Sequence, residues 1–195
     1  MIESNPTVSV IIPTYNRAGL VGRAIKSALN QTFENLEIIV VDDASIDNTI
    51  EVVKGFNDHR IKYIKHENTC GGSAARNTGI RVAQGDFVAL LDDDDEWSPE
   101  KVEKQIRKFI ISSPKIGLVY CGYQYVYQGK VMSDVIPEVR GESYNESLKR
   151  CFVGGPTPLV RRVCFNSSGY FDESLPSCQD WDMWIRIAKY YEFEF

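Results

Sequence analysis

Phe87-Val88-Ala89-Leu90-Leu91 runs straight into Asp92-Asp93-Asp94-Asp95, and this junction constrains the chain more than any other stretch. Five consecutive apolar residues after Gly85-Asp86 have the length of a strand buried on both faces. Four adjacent carboxylates with no lysine or arginine among them repel one another, so they sit either in water or around a cation. Hard cations such as Mg²⁺ and Mn²⁺ prefer oxygen ligands of this kind. A solvated acidic turn that leads into the next helix has the same sequence. Taken alone, the run divides evenly between the two.

Around this junction the hydrophobic pattern alternates. Val8-Ser9-Val10-Ile11-Ile12 reads as a buried strand ended by Pro13-Thr14-Tyr15-Asn16. Leu20/Val21, Ala24/Ile25 and Ala28/Leu29 then mark one face of a helix running to about Asn30. A second strand, Leu36 to Val41, closes on Asp42-Asp43-Ala44-Ser45. Asp47 and Asn48 cap a helix carrying Ile50, Val53 and Phe56. Ile61 to Ile64 is a short third strand, and Gly71-Gly72-Ser73 opens a helix that Gly85 ends. After the acidic run, Ser98-Pro99-Glu100 has the composition of a helix start, with Val102, Ile106, Phe109 and Ile110 on the buried face.

Strands alternating with helices from Val8 to about Ile111 predict an α/β fold: a Rossmann-like, mostly parallel sheet covered by helices on both faces. Ligands of such sheets sit outside the carboxyl ends of the strands. Three strands here end in polar segments, at Tyr15, at Asp42-Asp43 and at Asp92 to Asp95, so side chains from separate strand ends are expected in one crevice. Asp42 and Asp43 serve equally well as caps of the turn that follows them.

Beyond Pro114 the texture changes. Ile116 to Tyr127 is rich in Tyr and Val and predicts strand, with Gln128-Gly129-Lys130 as a hairpin turn into Val131 to Val135. A smaller antiparallel element in the C-terminal half follows from this. Residues 137–150 are polar and carry no periodicity. Phe152 to Pro158 is a loop whose glycines let backbone approach a ligand or simply turn the chain. Ser177-Cys178-Gln179-Asp180 has the form of a capping box before a helix buried through Trp181, Trp184, Ile185 and Ala188. On local grounds Asp180 is a capping acid.

Composition excludes several classes. The chain has 195 residues, enough for one domain with a full core, and its net charge of −5 is wrong for a nucleic-acid partner. No apolar run approaches the roughly 20 residues that span a bilayer, and the N-terminus has no export pattern. Cys70, Cys121, Cys151, Cys164 and Cys178 form no CxxC pair. Their odd number reads as reduced thiols in a cytoplasmic protein.

Five motifs stand in order along the chain: VSVIIPTYNR, VVDDASIDNT, GGSAARNTGI, FVALLDDDDEWSPEKV and GYFDESL…CQDWDMWIRIA. Together they resemble the inverting family 2 glycosyltransferases, whose catalytic domain has the GT-A fold. The resemblance runs from Val8 to about Tyr191. It implies one domain over 1–195, with 1–111 holding the nucleotide-sugar and 112–195 carrying the acceptor and the base. By this resemblance Pro13, Tyr15 and Asp43 hold the nucleoside base, with Asp42 sharing that duty. Arg76 and Asn77 face the nucleotide. Asp92 and Asp94 form the DxD pair, Asp94 being the direct ligand of Mn²⁺ or Mg²⁺, while Asp92 or Asp93 points to the ribose or sugar. Asp180 is the general base. Gln179 stands where the family's Glu-Asp pair has its first acid, which removes a charge beside the acceptor.

The implied donor is a nucleotide-sugar, by default a UDP-sugar, and the implied acceptor a carbohydrate or lipid-linked hydroxyl. Cytoplasmic placement with peripheral association at the inner face of the membrane is compatible with both. A non-catalytic nucleotide-sugar binding module is the rival reading, to which Gln179 and the chain's end at Phe195 lend weight; the chain is either a short member or a piece of a longer one. A phosphotransfer receiver domain, which also gathers acids at strand ends, is rejected: it lacks a run of four, and no late strand-end lysine is present.

Overall fold

The computed structural model describes residues 7–195. The first half alternates as expected: β1 (Val8–Thr14), α1 (Ala18–Leu29), β2 (Leu36–Asp42), α2 (Thr49–Gly55), β3 (Ile61–Lys65), α3 (Gly72–Val82), β4 (Phe87–Leu90) and α4 (Lys101–Ile111). Thereafter come β5 (Ile116–Val119), β6 (Tyr123–Tyr127), β7 (Lys130–Val135), α5 (Tyr144–Ser147), β8 (Leu159–Arg161), α6 (Cys164–Ser168), α7 (Gln179–Ala188) and β9 (Glu192–Glu194). Seven strands form one sheet in the order β3-β2-β1-β4-β8-β5-β9, and β6 with β7 forms a separate hairpin.

β1 pairs in parallel with β2 on one side and with β4 on the other, while β8 runs antiparallel to both β4 and β5. The chain therefore steps outward from β1 to β2 and β3, then returns to place β4 on the other flank of β1. That reversal is the switch point at which open α/β sheets leave a crevice. Both sheet faces are covered. Val8, Val10 and Ile12 pack with α1 and α4 through Ala24, Ile25, Val102 and Phe109. Ile11, Ile39 and Val41 pack with α3 and α7 through Ala75, Ile80, Met183 and Trp184. Alternation of side chains along a strand produces these two layers. At Gly79 the layer closes so tightly that a Cβ would lie 2.5 Å from Ile11 Cγ2.

Several local expectations are corrected. The chain from Ile116 to Tyr127 is not one strand. It leaves the sheet after Val119, where the buried Tyr120 hydroxyl donates to Val139 O at 2.7 Å and accepts from Val139 N at 3.1 Å. Ser98 does not cap α4. The side chain of Gln31, just past α1, does so by accepting from Val102 N at 3.0 Å and donating to Ser98 O at 2.8 Å. Of the Asp47-Asn48 pair, Asp47 does the capping. One oxygen accepts from Thr49 N, and the other accepts from Ala18 N at the start of α1. No helix among the described residues is long and apolar enough to cross a membrane.

Candidate functional site

The crevice opens where β1 and β4 end and has a volume of about 390 Å³. Pro13 and Tyr15 form one wall, Arg76 from α3 another, and Asp92, Asp93 and Asp94 the floor. Tyr15 leaves the end of β1 half-exposed.

Asp43 also lines this crevice, held by the loop that precedes α3. Its carboxylate accepts from Cys70 N at 2.9 Å and Gly71 N at 2.8 Å, and lies 2.7 Å from His66 Nδ1. His66 Nε2 in turn lies 2.9 Å from Thr78 Oγ1. Burial pushes the Asp43 carboxyl up, but the amides of Cys70 and Gly71 and the His66 ring outweigh it, so the group stays ionised below the usual range. Asp43, His66 and Cys70 place their ligand atoms within 4.8 Å of one another. The Asp43 and His66 atoms are already engaged by the protein.

The four aspartates have separate surroundings. Asp92 Oδ1 accepts from Arg76 Nη2 at 2.6 Å. Asp93 is nearly buried and shares Arg17 with Asp94: Nη1 lies 2.9 Å from Asp93 Oδ1 and 2.8 Å from Asp94 Oδ2. Burial raises the Asp93 carboxyl despite Arg17. Asp95 closes the turn through its amide, bonded to Asp92 O at 3.1 Å. Burial first, then the carboxylates of Asp92 and Asp94, push it up to about 6.

Asp180 sits in the first turn of α7, yet makes no cap. Cys178, with φ of 57°, is the N-cap residue and offers no side-chain bond, so the capping-box expectation fails and the Asp180 carboxylate is free to face the crevice. A Cβ on Gly155 would stand 3.2 Å from Asp180 Oδ2 and 3.2 Å from Asp92 Oδ2. The two carboxylates thus approach the same bare backbone, which Trp97 fixes by donating to Pro156 O at 2.8 Å. Burial raises Asp180 above the ordinary carboxyl range; Arg76 opposes this and Asp92 adds to it.

Two expected site residues lie elsewhere. Asp42 is fully buried; it accepts from Ser45 N at 2.7 Å and from the Tyr63 hydroxyl, and it does not line the crevice. Asn77 is also buried, donating to Phe171 O at 2.9 Å and Glu173 Oε1 at 2.7 Å while accepting from Phe171 N. Both oxygens of one and both ends of the other are spent on the fold. Conversely, Arg17, Gly155 and His66 belong to the site without having been assigned to it. Arg17 stands at the end of the PTYNR motif, one turn from the strand end, which was the available signal.

Comparison with known proteins bears on this geometry. The family model described as Glycosyl transferase family 2 matches residues 9–151. The chain is 34% identical over 182 residues to the Escherichia coli protein named UDP-Glc:alpha-D-GlcNAc-diphosphoundecaprenol beta-1,3-glucosyltransferase WfgD, covering 93% of this chain and 70% of that one. It is 36% identical over 191 residues to the uncharacterized glycosyltransferase RT0329 of Rickettsia typhi, covering 95% of this chain and 59% of that relative. The chain thus spans about six tenths of RT0329. The mannosyltransferase PcManGT from Pyrobaculum calidifontis, solved with GDP-Man and Mn²⁺, superposes with a TM-score of 0.74 at 22% identity, over 98% of this chain and 55% of that one. TarS 1-349 from S. aureus, solved with UDP, gives 0.73 at 22% identity over 96% and 60%. These likenesses show the GT-A fold, and with the match over residues 9–151 they establish that the chain belongs to the family 2 glycosyltransferases.

Proposed function

We propose that the chain is the catalytic part of a metal-dependent, inverting glycosyltransferase, moving a sugar from a nucleotide-diphosphate donor to an acceptor hydroxyl. The observation that carries this reading is the meeting of Asp180 and Asp92 at Gly155, with Arg76 bonded to Asp92: a half-buried carboxylate beside the acids expected at the diphosphate. In this reading 1–111 serves the donor and 112–195 the acceptor.

The donor set fits a small hard cation. Asp92 and Asp94 offer oxygen ligands only, Asp94 is half-exposed, and a Mg²⁺ or Mn²⁺ site commonly uses one or two carboxylates together with substrate phosphates. When bound, such an ion neutralises the charge that develops on the leaving diphosphate. Arg17 already brings positive charge to Asp93 and Asp94, which shows the electrostatic demand of the place.

The chain's own residues do the rest. Tyr15 stacks on the nucleoside base, and the ionised Asp43 accepts from its edge. Arg76 keeps Asp92 in place and lies on the diphosphate side. The acceptor hydroxyl attacks the anomeric carbon from the face opposite the diphosphate, and Asp180 takes its proton. The bond from that carbon to the diphosphate oxygen breaks with its electron pair leaving on the diphosphate, through an oxocarbenium-like state. A single displacement inverts the configuration. UDP-sugars are the default donor by analogy with relatives, one of which is named for UDP-Glc and a lipid diphosphate acceptor. A lipid-linked acceptor of that kind would place the work at a membrane surface.

The test is nucleotide binding across UDP, GDP and dTDP with Mn²⁺, Mg²⁺ or chelator. At least one nucleotide binds only with metal, and Asp94→Ala abolishes that binding. Binding that ignores metal and survives Asp94→Ala contradicts the reading. Metal-dependent binding with no turnover of any nucleotide-sugar points instead to the binding module.

A further inference from the structure

Beside the crevice lies a second cavity of about 570 Å³, lined in part by Asp95, Trp97, Lys101, Tyr123, Tyr125 and Gly155. Its size falls in the range of about 300–1,000 Å³ typical of ligand pockets. Gly155 belongs to its wall and is also the backbone that Asp180 and Asp92 approach, so the cavity adjoins the base. The acidic run is therefore divided: Asp92 to Asp94 line the crevice, and Asp95 lines this neighbour.

Three features of the wall call for an occupant. Among the described residues no hydrogen bond reaches the Asp95 carboxylate, whereas the adjacent Glu96 is paired with Arg23 at 3.2 Å. The rings of Tyr123 and Tyr125 meet edge to face with centroids 5.3 Å apart, and Tyr125 is more than half exposed. Lys101 Nζ is buried, 4.0 Å from the Trp97 ring centroid, with no hydrogen-bond partner. A free carboxylate opposite exposed aromatic rings suits a neutral sugar, whose hydroxyls donate to the carboxylate and whose C–H face lies on a ring. An anion suits it badly, because the open charge of the wall is the Asp95 carboxylate, while the ammonium of Lys101 is buried and Glu96 is paired with Arg23. The cations that line the crevice, Arg17 and Arg76, are on the other side.

We propose that this cavity is the acceptor subsite: it holds a neutral pyranose, with Asp95 accepting from its hydroxyls and the Tyr123–Tyr125 pair against its C–H face, beside Asp180. The proposal rests on the glycosyltransferase reading and adds the residues that select the acceptor. Any diphosphate attached to the acceptor sugar stays outside the cavity.

The experiment uses the full chain and measures binding by saturation-transfer NMR and titration. The probes are the methyl glycosides of glucose, galactose and N-acetylglucosamine, N-acetylglucosaminyl diphosphate on a short prenyl chain, inorganic pyrophosphate, and empty detergent micelles. A separate arm titrates UDP, GDP and dTDP with Mn²⁺. The expected result is saturation of a pyranose ring, no competition from pyrophosphate or micelles, and affinity weakened about tenfold or more in Asp95→Asn and Tyr125→Ala. Tyr125 is exposed, so its variant folds, and in both variants the nucleotide Kd moves less than about twofold. The methyl glycosides and the prenyl diphosphate separate a free glycan from a lipid-linked one, since both carry the same ring. The proposal is overturned if no pyranose binds the wild type, if pyrophosphate displaces the sugar, or if the variants weaken nucleotide and sugar alike. Failure of the nucleotide arm in the wild type would instead strike the glycosyltransferase reading.

Discussion

Arg76 Nη2 donates to Asp92 Oδ1 over 2.6 Å, and the same guanidinium attracts Asp180 across the crevice. Burial would lower the guanidinium's hold on its proton, but Asp92 and Asp180 together keep it firmly charged. One cation from α3 therefore joins a residue at the end of β4 to one at the start of α7, elements separated by almost half of the chain. That link brings the donor side and the base side to common ground at Gly155.

Arg17 competes with metal for Asp94. Its Nη1 bridges Asp93 and Asp94, and both Arg17 and Asp94 are about half exposed. Such a pair contributes at most about 1 kcal/mol, so Arg17→Ala should tighten Mn²⁺ binding about two- to fivefold. Titration of Mn²⁺ by its EPR signal in wild type and variant reads this directly. Weaker Mn²⁺ binding in the variant would mean that Arg17 supports the site instead of opposing the ion.

Gly155→Ala adds a methyl group 3.2 Å from both Asp180 Oδ2 and Asp92 Oδ2. That is closer than a carbon normally sits, so the carboxylates move by a few tenths of an ångström. Misplacement of this kind lowers turnover more than stability. Transfer should fall about tenfold while the melting temperature stays within about 2 °C; an unchanged rate would remove Gly155 from the site.

Gln31→Ala removes the cap of α4 together with bonds to Ser27 O and Ser98 O. Losing a cap costs about 1 kcal/mol, and leaving the buried Val102 amide short of a partner adds about as much. The melting temperature should drop by roughly 4–8 °C at this chain length. A calorimetric scan decides it, and a drop under about 1 °C would show that the turn at 98–100 caps the helix by itself.

Asp180 couples pH to both rate and stability. Its carboxyl is raised in the folded protein, chiefly by burial, so its ionisation costs stability, and the folded state gains stability as pH falls through the raised value towards the unfolded one. Catalysis has the opposite sign, because only the ionised group accepts a proton. Turnover should therefore decline on the acid side at a pH above the ordinary carboxyl range. At neutral pH Asp180→Asn should melt slightly higher than wild type. A lower melting temperature would show that Arg76 stabilises the charge more than burial penalises it.

Much of the framework was legible because its signals are local. β4 is a continuous apolar run, β1 and β2 are each interrupted by one polar residue, Ser9 and Glu37, and α1 shows its face in Ala24, Ile25 and Ala28. β8 and β9, three residues each, exist only through pairing with β4 and β5, which no local pattern announces. The same distinction runs through the site. Tyr15, Asp43 and Asp92 follow strand ends and fall where the switch point places them. Asp42 and Asn77 looked equally suitable, but their partners, Tyr63 and Phe171, come from distant parts of the chain and draw both side chains into the fold. Asp180 was hidden for the inverse reason: its position predicts a cap, and only the left-handed Cys178 frees its carboxylate.

The most direct test of the proposed base is a paired measurement on Asp180→Asn: metal-dependent nucleotide-sugar affinity, and the rate of transfer to a competent acceptor. The account predicts affinity within about twofold of wild type and a rate reduced by about 10²–10⁴, the usual worth of a positioned base. A variant that binds donor and transfers at the full rate would contradict it.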